Sequence, residues 1–556
     1  MKIHFKIMLL FACIMCAGMT AFAQQRISGT VKDTNGEPII GAGVLQSANN
    51  GTVTDVDGNF TLTVPANAEV TVSSVGYKTV TFTVDGRTSY SIILEEDSEL
   101  LQAVEVVAYG TQQRVTVTGA LSSVKSEDLL RTPISSINNV LAGQLSGVTT
   151  IQYSGEPGSD AATIFVRGRG TWTDSSPLIQ VDGVERSMAN INPEDIESIT
   201  VLKDASATAV FGVRGANGVI LVTTKRGMEG KAQITVNTSF SVLTPTRLIP
   251  QANSYDYARF YNQMRVNDET EPVFSEEVIQ KFLDQSDPIR FPSVQWTDYM
   301  MKKATSQSNH TVNISGGTKK VKYFVSAGFM NQGGLFKEFG ESYKFGYQYE
   351  RFNYRGNLDL NVTNTTTLSF DVSGNVSNAD KPRTGQGSTG MIRNIYYATP
   401  FSSPGLVDGK YVVTTTDYSD GLTLPFVGGD GLEYYTLGGF IATNINTLQM
   451  DLSLNQNLQF ITKGLSFKMK GSYNSQFNVT QTGTGGRAVY FPVIQADGSM
   501  AYRKSGEDVP VSISEGAGRA RNWYFETSLN YARSFGGHSV TGLVLYNQSK
   551  EYYPGS

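Results

Sequence analysis

The sequence predicts a mainly β protein that contains a small β-sandwich, a mixed α/β domain and an incomplete antiparallel transmembrane β-barrel. Glycine supplies 56 of 556 residues and aromatic residues 10%, while charged residues supply only 17%, against roughly 25% in average soluble domains. Short β-branched runs separated by turn residues fill the first hundred positions, and two-fold alternation of polar and apolar residues begins near residue 230. Both patterns are typical of strands.

Composition also excludes several function classes. After residue 23 the chain has two histidines, His310 and His538, and no cysteine. A structural zinc site needs about four such ligands, so no Cys/His metal site or disulfide framework is expected. The net charge of −5 lacks the basic footprint of nucleic-acid binding. We find no nucleophile elbow, metal cluster or carboxylate pair, so neither enzymatic activity nor a cofactor is expected.

Residues 1–23 have the parts of a secretory signal peptide in order. These parts are two lysines, an apolar run and a small-residue cleavage site: Lys2 and Lys6, residues 7–19, and Ala21-Phe22-Ala23. Two alternatives are a transmembrane helix and a lipoprotein acylated at Cys13 or Cys16. A transmembrane helix would need about 20 apolar residues, which favours the signal peptide.

Residues 24–98 have the spacing of a small sandwich of about seven strands. β-Branched and apolar runs at 27–31, 60–64 and 70–72 are separated by turn signals such as Asp57-Gly58. The group Asp55, Asp57 and Asn59 lacks the glycine and distal glutamate positions of an EF-hand loop. We therefore interpret it as turn chemistry.

Residues 99–114 form a linker that carries a β-branched run ending at a glycine. The run comprises Glu105, Val106, Val107, Ala108, Tyr109 and Gly110. No partner turn follows it, so it is either an extended segment free to pair with an exposed sheet edge or the last strand of the sandwich. Spacing alone leaves both possibilities open.

The pattern of cap residues and apolar runs in residues 115–227 predicts the mixed α/β domain. Ser135 is expected to cap a helix that runs to Gly147, Asn192 to cap a short helix starting at Pro193, and Asp204 to cap a helix over 205–211. Strands are expected at 163–166, 178–181, 199–202 and 219–223.

From residue 228 to 556 we expect about nine barrel strands of about ten residues each, the length of a tilted membrane strand. Aromatic residues near strand ends, such as Trp523, favour a membrane barrel over a soluble sandwich. The long segments 244–305, with helix-like stretches at 255–265 and 275–283, and 378–446 are expected to meet substrate or partner. Loop aromatics there stack on sugar rings, contact a lid protein or belong to an aromatic girdle: Tyr396, Tyr397, Tyr434 and Tyr435. Residues 483–486 are interpreted as a flexible loop.

Four motifs in the α/β region resemble the plug of SusC/RagA-type TonB-linked outer-membrane transporters. They are the strand at 163–168, Val181-Asp182-Gly183-Val184, Asp195-Ile196-Glu197-Ser198-Ile199, and the stretch from Val201 through Lys203-Asp204-Ala205 to Ile220. The residues that carry this signature are Arg167, Gly168, Asp182, Gly183, Lys203, Asp204, Gly212, Arg214, Gly215, Asn217 and Gly218. Residues 105–110 are similar to the TonB box of that family, and residues 24–98 to its carboxypeptidase-regulatory-like domain.

The resemblance implies import of oligosaccharides or peptides across the outer membrane. TonB, with ExbB and ExbD, would pull on the segment before the plug, and a SusD-like surface lipoprotein would cover the barrel. The N-terminal domain and linker would be periplasmic. The competing hypotheses are a secreted or surface glycan-binding adhesin and a nonfunctional truncated remnant.

The strand count departs from this family. Nine strands fall short of about 22 in plugged transporters, and a plug of about 110 residues, with a radius of gyration near 13 Å, does not fit inside nine. We therefore expect the C-terminal part of the barrel to be missing. Four plug residues are expected to bind the plug to charged barrel walls or to cap helices rather than to line a substrate path: Arg167, Arg169, Asp204 and Arg214. The G-x-x-G-x-x-G run from Gly212 to Gly218 precedes a strand, which favours turn and close-packing roles over a phosphate loop.

Overall fold

The computed structural model describes residues 24–552 except 35, 48–49, 75–76, 96–103, 108–109, 114–120, 131–134, 340–345, 384–389, 433–438 and 537. The signal-peptide prediction lies outside the described residues. The chain divides into two compact units, residues 1–118 and 119–556, and each is described by itself.

The first unit is a sandwich of two sheets, which confirms the predicted strand number. Its seven strands are β1 (Gln24–Asp33), β2 (Gly43–Ser47), β3 (Asn50–Val53), β4 (Asn59–Pro65), β5 (Glu69–Ser73), β6 (Val80–Thr83) and β7 (Ser89–Leu94). The sheet orders are β4-β1-β7 and β3-β2-β5-β6, and residues from both, such as Ile27 and Val72, share one buried core. The Asp55 carboxylate accepts from the main-chain N–H groups of Asp57 and Asn59 at 3.0 and 2.8 Å, as turn chemistry predicts.

The linker contains a two-stranded hairpin. Strand β8 (Val104–Val107) pairs antiparallel with β9 (Gly110–Gln113), and Val107 lies opposite Gly110. Among the described residues β8 belongs to neither sandwich sheet, so the last-strand alternative is wrong. Ala108 and Tyr109 lie outside the described residues.

The second unit begins with the plug. Its elements are β10 (Leu121–Lys125), α1 (Ser126–Leu129), α2 (Ile137–Val140), β11 (Val148–Ile151), β12 (Thr163–Val166), β13 (Leu178–Val181), β14 (Val184–Glu185), a 3₁₀ turn (Pro193–Asp195), β15 (Ile196–Leu202), α3 (Ala205–Thr208), a 3₁₀ segment (Ala209–Gly215) and β16 (Val219–Thr224). The main sheet has the order β10-β15-β16-β13-β14, and β11 pairs with β12. Apolar residues of these strands and of α2 form its core.

The plug helices are shorter than predicted. Ser136, not Ser135, precedes α2, which ends at Val140; the Ser135 hydroxyl bonds to the Asp160 carboxylate instead. Asn192 caps the turn at Pro193 as expected, since its side chain accepts from the Glu194 N–H at 3.2 Å. Apolar spacing predicted longer helices because 3₁₀ and irregular turns also bury residues at intervals of three and four.

Nine long strands form one antiparallel sheet, as counted from the sequence. They are β17 (Gly230–Leu243), β18 (Thr305–Gly317), β19 (Val321–Gly333), β20 (Gln348–Asn361), β21 (Thr366–Pro382), β24 (Phe440–Asn457), β25 (Leu465–Gly486), β28 (Val509–Phe535) and β29 (His538–Tyr552), adjacent in that order. Strand lengths run from 13 to 27 residues, so the expected ten was too short. Residues 483–486 end β25 and pair with β28, so the flexible-loop interpretation was wrong. The sheet is not closed: in the described part of the chain β17 and β29 each have one neighbour.

Connections at the two ends of this sheet differ in length. The turns 318–320, 362–365, 458–464 and 536–537 are short, whereas 244–304, 334–347, 383–439 and 487–508 are long. Outer-membrane barrels have short periplasmic turns and longer extracellular loops. The two ends of this sheet therefore differ in the way outer-membrane barrels do.

The long connections fold together. They contain α4 (Ser254–Asn267), α5 (Glu276–Asp284), α6 (Trp296–Met300), α7 (Gly390–Tyr397), β22 (Gly405–Val407), β23 (Lys410–Val412), β26 (Val489–Ile494) and β27 (Met500–Ser505). The predicted helices at 255–265 and 275–283 are thus confirmed. Aromatic residues from both long segments, including Phe274, Phe282 and Phe401, share a core. The Tyr396 hydroxyl accepts from the Ile249 N–H at 3.1 Å, Tyr397 is exposed, and Tyr434 and Tyr435 lie outside the described residues.

The sheet has the polarity expected of a membrane wall. Its buried side chains are largely polar or charged, for example Asn353, Asp371 and Lys470, while apolar side chains such as Phe370 and Leu452 are exposed on the opposite face. A water-soluble sandwich would bury the apolar set. No helix in the described part of the chain is long and apolar enough to cross a membrane.

Candidate functional site

The plug lies against the polar face of the sheet, and buried ion pairs join the two. Arg186, which directly follows β14, pairs with Asp451 of β24 and donates to the Ser472 hydroxyl of β25 at 2.7 Å. The Arg186 and Asp451 side chains are each only 4% exposed. This contact is therefore fully desolvated, and either charge alone would be costly there.

A second anchor lies where the plug leads into the sheet. Arg226, two residues after β16, binds the Asp371 carboxylate through two parallel N–H···O bonds of 2.8 Å. It also lies 3.3 Å from Asp359. A bidentate guanidinium–carboxylate pair fixes orientation as well as distance, so Arg226 sets the direction in which the chain enters β17.

Asp182 is a buried plug carboxylate that lies close to several cationic side chains. It sits in the turn between β13 and β14 at φ 50°, and its carboxylate accepts from the Thr224 N–H and hydroxyl at 3.0 and 2.8 Å. Burial opposes ionisation, but the charges of Arg226, Arg355 and Lys470 outweigh it and lower the pKa of the Asp182 carboxyl. Asp182 is therefore an anion at neutral pH.

Asp195 also lies near Arg355, as Asp182 does, but burial and charge combine differently in setting the pKa of its carboxyl. Its carboxylate lies 3.4 Å from the Arg355 Nε atom. Burial raises the pKa of the Asp195 carboxyl, because Arg355, the strongest of the charges that favour ionisation, offsets desolvation only in part. Both plug carboxylates thus interact with Arg355, but the pKa of the Asp182 carboxyl is lowered whereas that of the Asp195 carboxyl is raised.

Neutral hydrogen bonds complete the interface. The side-chain amides of Asn353 and Asn357 each donate at 2.7 Å to main-chain carbonyls of Asn190 and Lys225, and the Asn192 amide donates to Thr311 at 3.0 Å. Water can replace each of these partners when the surfaces part. In the part of the chain that the structure describes, the apolar cluster of the plug contains plug residues alone, so separation of these polar contacts would not open it.

Three signature-region arginines have local partners. Arg167 pairs with Asp204, and Arg214 with Glu185, in each case within the plug. Arg169 reaches the Trp172 carbonyl at 3.5 Å. Of the two roles expected for these residues, wall binding stays a prediction, and helix capping is seen at one position. Asp204 does occupy the N-cap position of α3.

The remaining signature residues support turns and local packing. Lys203 donates to Ser146 at 2.9 Å, and the Asn217 amide to the Asp174 carbonyl at 3.1 Å. Asp182-Gly183 forms a hairpin turn, with both residues at positive φ. Gly212 has φ 57°, and a Cβ on Gly215 would lie 2.9 Å from the Thr208 carbonyl oxygen. These positions suit the predicted turn and close-packing roles.

The close-packing role of the signature glycines can be tested at Gly218. It has φ 88°, and an added Cβ would lie 2.8 Å from Val166. Gly218→Ala is expected to destabilise the plug by about 2–4 kcal/mol, because left-handed strain adds to overpacking. Gly168→Ala is the matched control, since Gly168 has φ 87° with open space around it, and should cost roughly 1–2 kcal/mol. Equal losses in chemical denaturation of the two variants would contradict the close-packing role.

Comparison with known families agrees with the fold. Residues 113–219 match the TonB-dependent Receptor Plug Domain, and residues 27–107 match the CarboxypepD_reg-like domain. The TonB-dependent receptor SusC of Bacteroides thetaiotaomicron is 31% identical over 438 residues, covering 73% of this chain and 41% of that protein. TonB-dependent receptor P39 of Formosa agariphila is 28% identical over 578 residues, covering 99% and 48%.

A solved structure of the RagAB peptide importer in its 'open-open' state has the same fold. It superposes with a TM-score of 0.59 at 22% identity, covering 81% of this chain and 50% of that one. A plug seated against the polar face of an outwardly apolar β-wall, after a carboxypeptidase-regulatory-like sandwich, defines the class of TonB-dependent receptors. The chain is a TonB-dependent receptor of the SusC/RagA type, as the sequence resemblance implied. It spans about half the length of the relatives that it matches.

Proposed function

We propose that this chain serves TonB-dependent import of oligosaccharides or peptides across the outer membrane. One observation carries the proposal: ion pairs join the plug to the sheet through the buried Arg186 and Arg355 and the partly exposed Arg226. Such an interface is stable when closed, and its groups accept water when opened. This is what a removable plug requires, whereas a permanent core would be apolar.

TonB is the proposed source of force. Residues 105–110 include the last three residues of β8 and the first residue of β9. In the described part of the chain each strand of this hairpin pairs only with the other, which leaves edges for strand addition by TonB. TonB, powered through ExbB and ExbD, pulls on this segment. The chain transmits the force through residues 114–120 to β10 and so to the contacts between plug and sheet. No covalent chemistry is needed, so the protein is proposed not to be an enzyme.

The lengths of the connections at the two ends of the sheet suggest how the protein is oriented in the cell envelope. The end with the long connections, and its aromatic core around Phe401, faces outward and is proposed to meet a SusD-like lipoprotein and substrate. The end with short turns faces the periplasm, where the sandwich and the hairpin are proposed to reside. The outer apolar face of the sheet contacts lipid.

Uptake tests this function directly. A strain that lacks the gene and carries it again on a plasmid is given the labelled oligosaccharides or peptides on which the parent strain depends. Restored uptake that stops when a protonophore collapses the proton motive force is the expected result. Surface binding of the label without uptake would favour the adhesin hypothesis. Absence of both, with no heat-modifiable barrel in outer membranes, would favour a remnant.

A further inference from the structure

The apolar outer face of the sheet carries a groove beside one glycine. Gly471 of β25 lies opposite Leu452 of β24 on one side and opposite Phe525 of β28 on the other. An added Cβ at Gly471 would meet no atom within 4 Å, so the floor of the groove is main chain between two large side chains. Tyr473 and Trp523 border the same space. We call the space lined by these five residues the outer groove.

The side chains that face the outer groove are almost all apolar. Its volume is about 720 Å³, in the range of about 300–1,000 Å³ found for small-molecule sites. Asp451, Ser472 and Tyr524 also border it, but strands alternate their faces, and Arg186 binds the first two from the plug side. Gln548 of β29 adds a neutral amide at the edge. An apolar groove on a face that meets lipid suits an acyl chain.

Two cations lie beside the outer groove, toward the end of the sheet that carries the long connections. Lys550 of β29 lies opposite Trp523 of β28. Arg521 precedes Trp523 by two residues, so both side chains point to the same face. Measured along the strands from Phe525, Lys550 is about 7 Å and Arg521 about 14 Å nearer the long connections.

Both cations contact one neutral ring. The Lys550 Nζ atom lies 4.8 Å, and the Arg521 guanidinium carbon 5.0 Å, from the centroid of the Tyr552 ring. The ring attracts each cation, but it holds two positive charges close together, and these repel each other. Glu551, between Lys550 and Tyr552 in the chain, alternates to the plug face. The outer face therefore presents a concentrated positive charge beside an apolar groove.

An anionic headgroup would relieve this repulsion. Phosphate oxygens accept charge-assisted hydrogen bonds from guanidinium and ammonium groups. Aromatic side chains such as Trp523 and Tyr552 are typical of the level where lipid headgroups begin. Because a lipid carries its headgroup at one end of its acyl chains, a chain in the outer groove brings its phosphate to Arg521 and Lys550. One molecule thus satisfies the groove and both cations.

We propose that the outer groove, with Arg521 and Lys550, binds one anionic, phosphate-bearing membrane lipid. An acyl chain lies in the groove and the phosphate lies between the two cations. The proposed orientation of the sheet puts this site in the outer leaflet. The inference rests on the proposed contact of the outer face with lipid and goes beyond it, because it names a site and a class of lipid.

Tryptophan quenching by brominated lipids tests this site. Of the three tryptophans, Trp172 is exposed in the plug and Trp296 is buried in the core of the long connections, so Trp523 reports the groove. Trp523→Phe measures the signal of the other two, which is subtracted. The purified full chain in neutral detergent micelles is titrated with dibrominated phosphatidylglycerol, which is anionic, or with dibrominated phosphatidylcholine, which is zwitterionic.

We expect phosphatidylglycerol to reach half-maximal quenching at an about fivefold lower mole fraction than phosphatidylcholine. This preference should fall as sodium chloride is added, because salt screens exposed charges. Arg521→Gln/Lys550→Gln should abolish the preference. Arg533→Gln is the matched control and should keep it, since Arg533 lies on the same face of β28 at the short-turn end, over the Phe535 ring at 4.6 Å.

Gly471→Leu tests the groove separately from the cations. The added side chain enters open space, so the sheet should fold as before. Filling the groove should weaken quenching by both lipids severalfold and leave their ratio unchanged. Quenching equal to that of the parent chain would overturn the groove as the acyl-chain site.

The headgroup site has its own contrary results. Equal curves for the two lipids in the parent chain, or a preference that survives Arg521→Gln/Lys550→Gln, would overturn it. Displacement of the lipid by inorganic phosphate, or no quenching together with dimers in the same detergent, would assign this face to free phosphate or to a second copy and overturn the lipid site. The measurement needs neither TonB nor cargo, so loss of uptake with the lipid preference intact would count against the import function alone.

Discussion

Replacement of residues 105–110 by a Gly/Ser segment of equal length is expected to abolish binding of the TonB periplasmic domain. The substitution keeps the tether but removes the β-branched residues that favour an extended strand. We expect affinity to fall by at least about a hundredfold, since strand addition depends on a continuous ladder of main-chain hydrogen bonds. Titration of the labelled TonB domain against the purified chain measures the effect.

A matched pair of variants separates strand addition from other contacts. Val106→Pro removes one main-chain N–H from the middle of β8, whereas Val106→Thr keeps both the N–H and a β-branched side chain. Proline is expected to weaken TonB binding strongly and threonine only slightly. If the Gly/Ser replacement and Val106→Pro both bind TonB normally, residues 105–110 are not the TonB-binding segment.

Arg186→Met is expected to give the largest loss of plug stability among the interface variants, about 3–5 kcal/mol. The change leaves the Asp451 carboxylate buried at 4% exposure without its guanidinium partner. The double variant Arg186→Met/Asp451→Leu should recover most of the loss, because neither charge of the buried pair remains. Hydrogen exchange of the plug amides measures each free energy, and the double-mutant cycle isolates the pair.

Arg214→Met is the control for that experiment. Arg214 belongs to the family signature, but its pair with Glu185 is exposed, at 58% and 50%. Exposed pairs contribute about 0–1 kcal/mol, so the plug should remain nearly as stable as in the parent chain. A loss at Arg214 as large as that at Arg186 would show that burial does not decide which ion pair holds the plug.

Local periodicity explains why the strands were predictable. A strand alternates its faces every two residues, so Leu358, Leu360 and their polar neighbours reveal the sheet without reference to any partner. Alternation does not show which face meets the plug or how far pairing continues. Pairing extended the strands well beyond the predicted ten residues, as in Val509–Phe535.

The plug anchors were not predictable, because their partners are remote in sequence. Arg186 and Asp451 lie 265 positions apart, and no local pattern joins them. The signature arginines pair over much shorter separations, 37 positions for Arg167 with Asp204, and so serve the plug's own fold. Asp182 belongs to the sequence signature, and only the structure shows that its carboxylate faces charges of the sheet.

The orientation of the sheet, with lipid on one face and plug on the other, is tested most directly by spin-label accessibility in lipid vesicles. Leu452→Cys and Gln449→Cys on β24 place nitroxides on the apolar outer face and on the polar face that meets the plug. We predict that dissolved oxygen relaxes the label at 452 more strongly, and that a water-soluble nickel complex relaxes the label at 449 more strongly. Equal access of the nickel complex to both labels, or the reverse order, would contradict a sheet whose apolar face meets lipid and whose polar face meets the plug.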